Sequence, residues 1–428
     1  MRCLSTRGGD ERSLSEAIAA GLAADGGLFM PAMPLPRIVG RPREATLAAT
    51  AEWLLAPYFE GEVLESKLGA ICEAAFTFEA PIRWLPSPAD RLDGLLELFH
   101  GPTAAFKDFG ARFLAETLTA SRAAVGGEGK TVLVATSGDT GAAVAAAFHR
   151  RPGFRVIILY PDGRVSARQA HQLGSFGDNV RTFRVAGTFD DCQRLAKEAF
   201  ADDVLRDTLH LTSANSISLG RLLPQMAYYA HAALRLSDEG RTPVSFVVPT
   251  GNLGNAFACL MARAMGLPID RVALATNANR VLPDFLRNGR YTPTASITTL
   301  ANAMDVGAPS NLERLRVMFE RANEHMDADW VDDETIRATI RRTWSEAGVA
   351  LCPHTACGVE VLRRVRAQGG RGTWLVAATA HPAKFERIVE PLIGQPVEVP
   401  PALAELLARP SRAEPLEPTL DALRLALA

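Results

Sequence analysis

Apolar and polar positions follow two different rhythms along this chain. Over roughly the first ninety residues the spacing is helical. Ser13 and Glu16 stand three apart ahead of an apolar-rich run over 14–22, the arrangement of a capping box, and Asp25, Gly26 and Gly27 stop that run. A second helix is predicted over 44–58, ending near Pro57. Pro81, Pro86 and Pro88 then mark an irregular connection and a candidate boundary. From about Leu95 the rhythm changes. The runs 131–135, 155–160, 244–248, 271–276 and 373–378 are short and mostly apolar, and helices are predicted over 142–150 and 256–265. A strand that is apolar on both faces must be covered on both faces. Such strands alternating with helices indicate an α/β fold with parallel sheets. The proline-rich end of the chain reads as a tail that closes with a helix at 423–427.

A length of 428 residues suits two or three structural units. Basic residues number 46 and acidic residues 48, so the chain lacks the positive footprint of a nucleic-acid binder. With 47% hydrophobic and 22% charged residues it has the make-up of a globular protein with a filled core. The first residues carry no apolar signal region, and no uncharged apolar run is long enough to cross a bilayer. A cytoplasmic location and no membrane partner are therefore expected. Six cysteines are scattered without a C-x-x-C pair and read as buried thiols. Cys352, His354 and Cys357 lie close together, but zinc would need a second ligand cluster, so no metal is expected. Only five basic residues are lysines: Lys67, Lys107, Lys130, Lys197 and Lys384. This reads as codon bias, yet it narrows any chemistry that needs a primary amine to five positions.

Three predicted strands break into polar loops that run straight into helices. They are Thr136-Ser137-Gly138-Asp139-Thr140-Gly141, Thr250-Gly251-Asn252-Leu253-Gly254-Asn255 and Thr379-Ala380-His381-Pro382-Ala383-Lys384. A glycine turn at a helix start offers unpaired N–H groups and the positive end of the helix dipole to an anion. In open α/β sheets these strand ends are where ligands bind. Any one such loop is equally explained as a turn with a helix cap; three together indicate an anionic ligand. No G-x-G-x-x-G occurs, so the dinucleotide fingerprint is absent. The segment 126–131 resembles the end of a Walker loop, but Ala124 takes the place of the first glycine and the segment precedes a strand. It is read as a turn, with Lys130 on the surface. Lys107 lies between Phe106 and Phe109 at the start of a predicted helix running to about Leu118. A free lysine amine, with a pKa of about 10.4, is protonated at neutral pH. Apolar surroundings and a helix N-terminus both disfavour that charge, which makes the amine a nucleophile for a carbonyl. A lysine snorkelling along an apolar helix face accounts for the segment equally well.

These residues carry a family resemblance. The chain resembles the threonine synthases, pyridoxal-phosphate enzymes of fold type II, nearly from end to end. The likeness runs through Ser5-Thr6-Arg7-Gly8, Asp25 to Phe29, the Lys107 segment, the Ser137 and Gly251 loops, Met304-Asp305-Val306, Pro309-Ser310-Asn311, His354 to Gly358 and Thr379 to Phe385. It implies two α/β domains with parallel sheets and a helical N-terminal domain. The expected divisions are 1–94, 95–215 with Lys107 and the Ser137 loop, and 216–428 with the Gly251 loop and Thr379, the two α/β domains interleaving. It implies that Lys107 binds pyridoxal 5'-phosphate covalently and then shuttles protons. Gly251, Asn252, Leu253, Gly254 and Asn255 would cradle the cofactor phosphate, and Thr379 would bond the pyridine nitrogen. Thr136, Ser137, Asp139 and Thr140 would meet the substrate carboxylate, although Asp139 also suits a helix N-terminal charge. The substrate implied is O-phosphohomoserine, whose own phosphate would be held by Asn215, Ser216 and Arg221. The enzyme would be a monomer or homodimer.

Some positions depart from the family pattern. Ser218 stands for an asparagine, Leu219-Gly220 precedes Arg221 in place of Trp-Ala, and Arg280 follows Asn279 where aspartate is usual. These lie toward the substrate-phosphate half of the site. The rival reading is a related phospho-lyase or dehydratase that releases 2-oxobutanoate or another oxo acid. Dehydratases of this fold usually bind the cofactor phosphate with a run of glycines, which the Gly251 loop is not. A third reading, a catalytically silent binding protein, gives Lys107 no physical reason to be kept. His100 and His381 read as packed, hydrogen-bonded histidines.

Overall fold

The structure, a computed structural model, describes the whole chain except residues 89–90, 127–128, 216, 321–324 and 428. Its N-terminal part adds strands to the mostly helical domain expected there. Glu11–Ser13, Arg2–Ser5 and Phe29–Pro31 form a three-stranded antiparallel sheet, with Arg2 opposite Ser13 and Leu4 opposite Met30. The helix Leu14–Ala20 follows, and its capping box is made as the spacing predicts: the Ser13 hydroxyl accepts the Glu16 N–H while the Glu16 carboxylate accepts the Ser13 N–H. The second helix, Leu47–Phe59, is capped by the Thr46 hydroxyl and carries Pro57 in its last turn.

Two sheets make up the rest. The larger has the order Asp327–Trp330, Ile269–Thr276, Val244–Pro249, Gly372–Ala378, Arg91–Glu97 and Ile82–Leu85. All its pairings are parallel except that of the edge strand Ile82–Leu85. The smaller sheet, Glu414–Leu416, Val180–Val185, Phe154–Pro161, Lys130–Ala135 and Leu211–Ser213, is parallel throughout. Central strands such as Val244–Pro249 are buried at every position, which is why they read as unbroken apolar runs. The chain passes from the larger sheet to the smaller and back. Its C-terminal segment then returns to the smaller sheet as Glu414–Leu416, followed by the helix Leu420–Leu427. The expected tail is thus part of a core that joins Leu416 and Leu423 to Leu159, Phe183 and Leu195. Lys130 is not the surface residue expected: it is half-buried, and its Nζ donates to the carbonyl of Ala19 at 3.3 Å.

One crossing of loops sets the position of Lys107. The segment before it lies along the segment that leaves Gly372–Ala378, with Ala105 bridged to Ala380. The Phe106 N–H donates to the Thr379 carbonyl at 2.8 Å, and the His381 N–H donates to the Ala104 carbonyl at 3.0 Å. The helix Lys107–Val125 therefore begins beside the end of a central strand.

Candidate active site

Lys107 opens its helix with Nζ over the Phe106 ring, 5.8 Å from the centroid. Burial pushes its pKa down from 10.5 to about 8; the Asp139 charge opposes that shift, while Arg221 and Lys384 add to it. A cavity of about 980 Å³ opens above it. Thr136, Ser137, Asp139, Thr140, Asn215, Arg221, Gly251, Asn252, Leu253, Gly254, Asn255 and Thr379 line the same cavity. Ser216 lies outside the described residues.

The loop 250–255 joins Val244–Pro249 to the helix Gly254–Ala264. Its shape is forced. A Cβ on Gly251 would stand 2.8 Å from the Cα of Met304, so only glycine fits there. Leu253 takes a left-handed backbone, φ 64°, and its N–H donates to the Thr250 hydroxyl at 3.2 Å. Asn252 is clamped from the far side: its Oδ1 accepts the Ser310 N–H at 2.5 Å, and its carbonyl accepts Asn311 Nδ2 at 2.9 Å. Asn255 Oδ1 accepts both the Tyr228 and Tyr229 hydroxyls, at 2.5 and 2.9 Å. This turns the asparagine so that Nδ2 is its free end, and Nδ2 is buried with no partner among the described residues. An orphaned donor in the first turn of a helix, beside a glycine turn that no side chain could share, fits a phosphate group.

The loop after Lys130–Ala135 is built on Thr136, whose hydroxyl accepts the N–H groups of Gly138 and Gly141 at 3.0 and 2.9 Å. Gly138 has φ 132°, and a Cβ there would meet Gln169 Nε2 at 2.7 Å. Asp139 starts the helix Asp139–Phe148, but its carboxylate is already engaged. Lys384 Nζ lies 2.7 Å from Oδ1, and Gln169 Nε2 donates to the same oxygen at 2.9 Å. Burial alone would raise this carboxyl; the charges of Lys384 and Lys107 outweigh it and hold the group well below the usual range. Ser137 and Thr140 line the cavity beside it, at the start of the helix.

Arg221 is nearly inaccessible, at 2% exposure. Its Nη1 donates to the Ala214 carbonyl at 2.7 Å, while Nε has no partner among the described residues. Burial pulls its pKa down from 12.5 to about 10, so it stays a cation near neutral pH. Asn215 Oδ1 and Ser218 Oγ are likewise buried without partners. A buried guanidinium with an unsatisfied N–H calls for an anion.

His354 and Lys384 lie in segments that carry the resemblance but are not among the site residues it implies. His354 lines the cavity; its Nε2 accepts the Ala303 N–H at 3.1 Å, which puts the ring proton on Nδ1, a buried atom with no partner among the described residues. Burial pushes its pKa down to about 4, so the ring is neutral. Lys384 is fully buried and reaches Asp139, a contact that no sequence spacing reports. His100 and His381 are both hydrogen-bonded, but His100 is exposed and not packed as expected: His100 Nε2 bonds Glu97 Oε2 at 2.8 Å, and His381 Nδ1 accepts the Ala383 N–H at 3.2 Å. Among the described residues no His, Cys, Asp and Glu side chains group as metal ligands, and all six cysteines are buried and unpaired. No helix among them is long and apolar enough to cross a membrane.

Residues 78–379 match the family model of the pyridoxal-phosphate dependent enzymes, the class that the parallel sheets and the Lys107 cavity define. Residues 2–76 match the model of the threonine synthase N terminus, and residues 355–426 that of the threonine synthase C-terminal part. The threonine synthase of Serratia marcescens is 42% identical over 403 residues, covering 92% of this chain and 91% of that protein. That of Escherichia coli (strain K12) is 39% identical over 422 residues, covering 97% and 96%. The solved structure of the Escherichia coli enzyme superposes with a TM-score of 0.90 at 38% identity, covering 100% of this chain and 99% of that one. The pyridoxal-phosphate-bound threonine synthase of Brucella melitensis gives 0.88 at 34% identity, covering 100% and 98%. The chain belongs to the threonine synthase family, and it is a lyase with pyridoxal phosphate as its cofactor.

Proposed function

We propose that the cavity converts O-phosphohomoserine and water into threonine and inorganic phosphate. The observation that supports this reading is a pair of buried donors left without partners among the described residues, on two residues that line the cavity with Lys107. One is Asn255 Nδ2, in the Gly251–Asn255 turn; the other is Nε of the buried Arg221. A cofactor phosphate needs one site, and a substrate that carries a phosphate needs the second.

Gly251, Asn252, Leu253, Gly254 and Asn255 would hold the phosphate of pyridoxal phosphate, Thr379 its ring nitrogen and Lys107 its reactive carbon. When bound, the cofactor supplies an electron sink for negative charge at carbons next to the substrate amine. A threonine hydroxyl at position 379, unlike a carboxylate, does not impose a positive charge on a ring nitrogen. Ser137, Thr140 and the first N–H groups of the helix Asp139–Phe148 bind the substrate carboxylate. Arg221 and Asn215, with Ser216 beside them in sequence, grip the substrate phosphate and retain it once its bond to the γ carbon breaks. Lys107 Nζ takes the α proton and then carries protons between the carbons of the chain. Its lowered pKa, about 8, keeps both its acid and base forms accessible near neutrality. Water then adds at the β carbon. The enzyme works in the cytoplasm, as a monomer or homodimer. Incubation with O-phosphohomoserine and separation of the products tests the reading: threonine is expected, and 2-oxobutanoate as the sole carbon product would replace it with that of a phospho-lyase.

A further inference from the structure

Lys384 is a second buried amine, one residue removed from the cavity: it contacts Asp139, which lines it. It sits in the short turn Pro382–Phe385 with no exposure to solvent. Its Nζ makes two contacts, the ion pair with Asp139 Oδ1 at 2.7 Å and a hydrogen bond to the Thr103 carbonyl at 2.8 Å. Thr103 belongs to the turn that delivers Lys107, and its N–H and hydroxyl hold Asp108 at 2.8 and 2.7 Å. Lys384 therefore ties the start of the helix Asp139–Phe148, which follows the smaller sheet, to the segment that carries Lys107.

The charges around Lys107 come from several elements. Arg221 and Lys384 are cations and Asp139 is the anion that faces it. Asp139 in turn is faced by Lys384, Lys107 and the neutral His354. Asp108, one residue on, faces Lys384 and Arg112 and is occupied by Thr103. The charge of one carboxylate thus acts on two amines, with Lys384 in contact at 2.7 Å and Lys107 lining the same cavity. If Asp139 pairs with Lys107, it fixes that amine as an ammonium, unable to accept a proton or attack a carbonyl. Gln169, the other partner of Asp139, is neutral and cannot compete for the charge.

We propose that Lys384 is a positioning residue for the chemistry of Lys107: it keeps Asp139 in a buried ion pair and so prevents that carboxylate from capturing the reactive amine. The inference rests on Lys107 being the amine that meets the cofactor. It separates the two lysines of the site by task. Lys107 exchanges its proton, and Lys384 holds Asp139.

The test is the pH dependence of two processes that need neutral Lys107. These are kcat of the holoenzyme at saturating O-phosphohomoserine, when the substrate amine has displaced Lys107 from the cofactor, and the binding of added pyridoxal phosphate to enzyme stripped of it, followed by visible absorption. Lys384→Gln keeps a donor for the Thr103 carbonyl and removes the charge; Lys384→Met removes both. In each, the acid limb of both profiles should move up by about one pH unit or more, since a paired amine is harder to deprotonate. Adding Asp139→Asn to Lys384→Gln should bring the limb back. If Lys384 is only a brace, Lys384→Gln will lower activity and melting temperature with the limb unmoved, and the inference is overturned. It is equally overturned if the double variant keeps the shift. Lys107→Ala tests the underlying reading separately: unaltered cofactor absorption there would remove Lys107 from its role, whatever Lys384 does.

Discussion

A Cβ placed on Gly110 would stand 2.7 Å from the carbonyl oxygen of Arg221. Gly110 lies one turn beyond Lys107 on the same face of its helix, so the absent side chain lets the Arg221 segment approach the reactive amine closely. Gly110→Ala should displace backbone rather than a flexible side-chain end. The expected cost is about 1–3 kcal/mol of stability, with a higher KM for O-phosphohomoserine and the cofactor retained. Thermal unfolding and steady-state kinetics check it; an unchanged KM would show that the segment has room to yield.

Arg221 itself can be probed with a change that keeps the charge. Lysine cannot reproduce the planar fork that leaves Nε free while Nη1 bonds the Ala214 carbonyl. Arg221→Lys should raise KM for O-phosphohomoserine by roughly 10- to 100-fold, with the cofactor's visible absorption intact. Loss of the cofactor instead would mean that Arg221 serves the other phosphate.

The wall behind the Gly251 turn depends on Asp305. Its carboxylate accepts the Thr299 N–H and hydroxyl at 3.1 and 2.7 Å, and the side-chain amides of Asn277 and Asn279 at 2.7 and 3.3 Å. These bonds fix the turn whose Met304 backbone abuts Gly251. Asp305→Asn sets an N–H group against donors and should loosen that wall. Cofactor affinity is expected to fall by about tenfold, in line with roughly 1–3 kcal/mol for a disrupted buried bond. Titration of stripped enzyme with pyridoxal phosphate measures this, and an unaltered affinity would detach Asp305 from the phosphate loop.

Acid stability should depend on Glu360. It is nearly inaccessible and accepts bonds from Arg342 at 3.0 Å, Arg363 at 2.7 Å and Arg364 at 2.9 Å. Burial alone would raise its pKa, but the hydrogen bonds from Arg363, Arg364 and Arg342 outweigh that and pull it from 4.5 to about 2. A carboxyl depressed in the folded state contributes stability above its unfolded value, and loses it as pH falls from 4.5 through about 2. Glu360→Gln should therefore cost about 1–3 kcal/mol near neutrality, a cost held down because the three arginines can still reach water. Denaturant unfolding across pH should show the gap closing toward pH 2; a constant gap would assign the loss to packing.

How much of this was legible in the sequence follows from the range over which each signal acts. Val244–Pro249 and Gly372–Ala378 are apolar at almost every position because both sheet faces are covered, so their runs and the loops after them stood out. Arg2–Ser5, Glu11–Ser13 and Phe29–Pro31 are too short for an alternation to register, and a helix-like reading covered them. Glu414–Leu416 was hidden in proline-rich sequence for the same reason. Lys130 looked like a surface residue because nothing near it in sequence reports that Ala19 lies over its amine. The pairing of Lys384 with Asp139 joins loops far apart in the chain, and only the fold brings them together. The Walker-like segment 126–131 falls partly on residues 127–128, outside the described part of the chain.

Turnover of O-phosphohomoserine in water labelled with heavy oxygen tests the central claim most directly. Cleavage at the γ carbon followed by water addition at the β carbon puts the label in the hydroxyl of threonine and leaves the released phosphate unlabelled, one threonine for each phosphate. Label in the phosphate, or an oxo acid in place of threonine, would contradict the account.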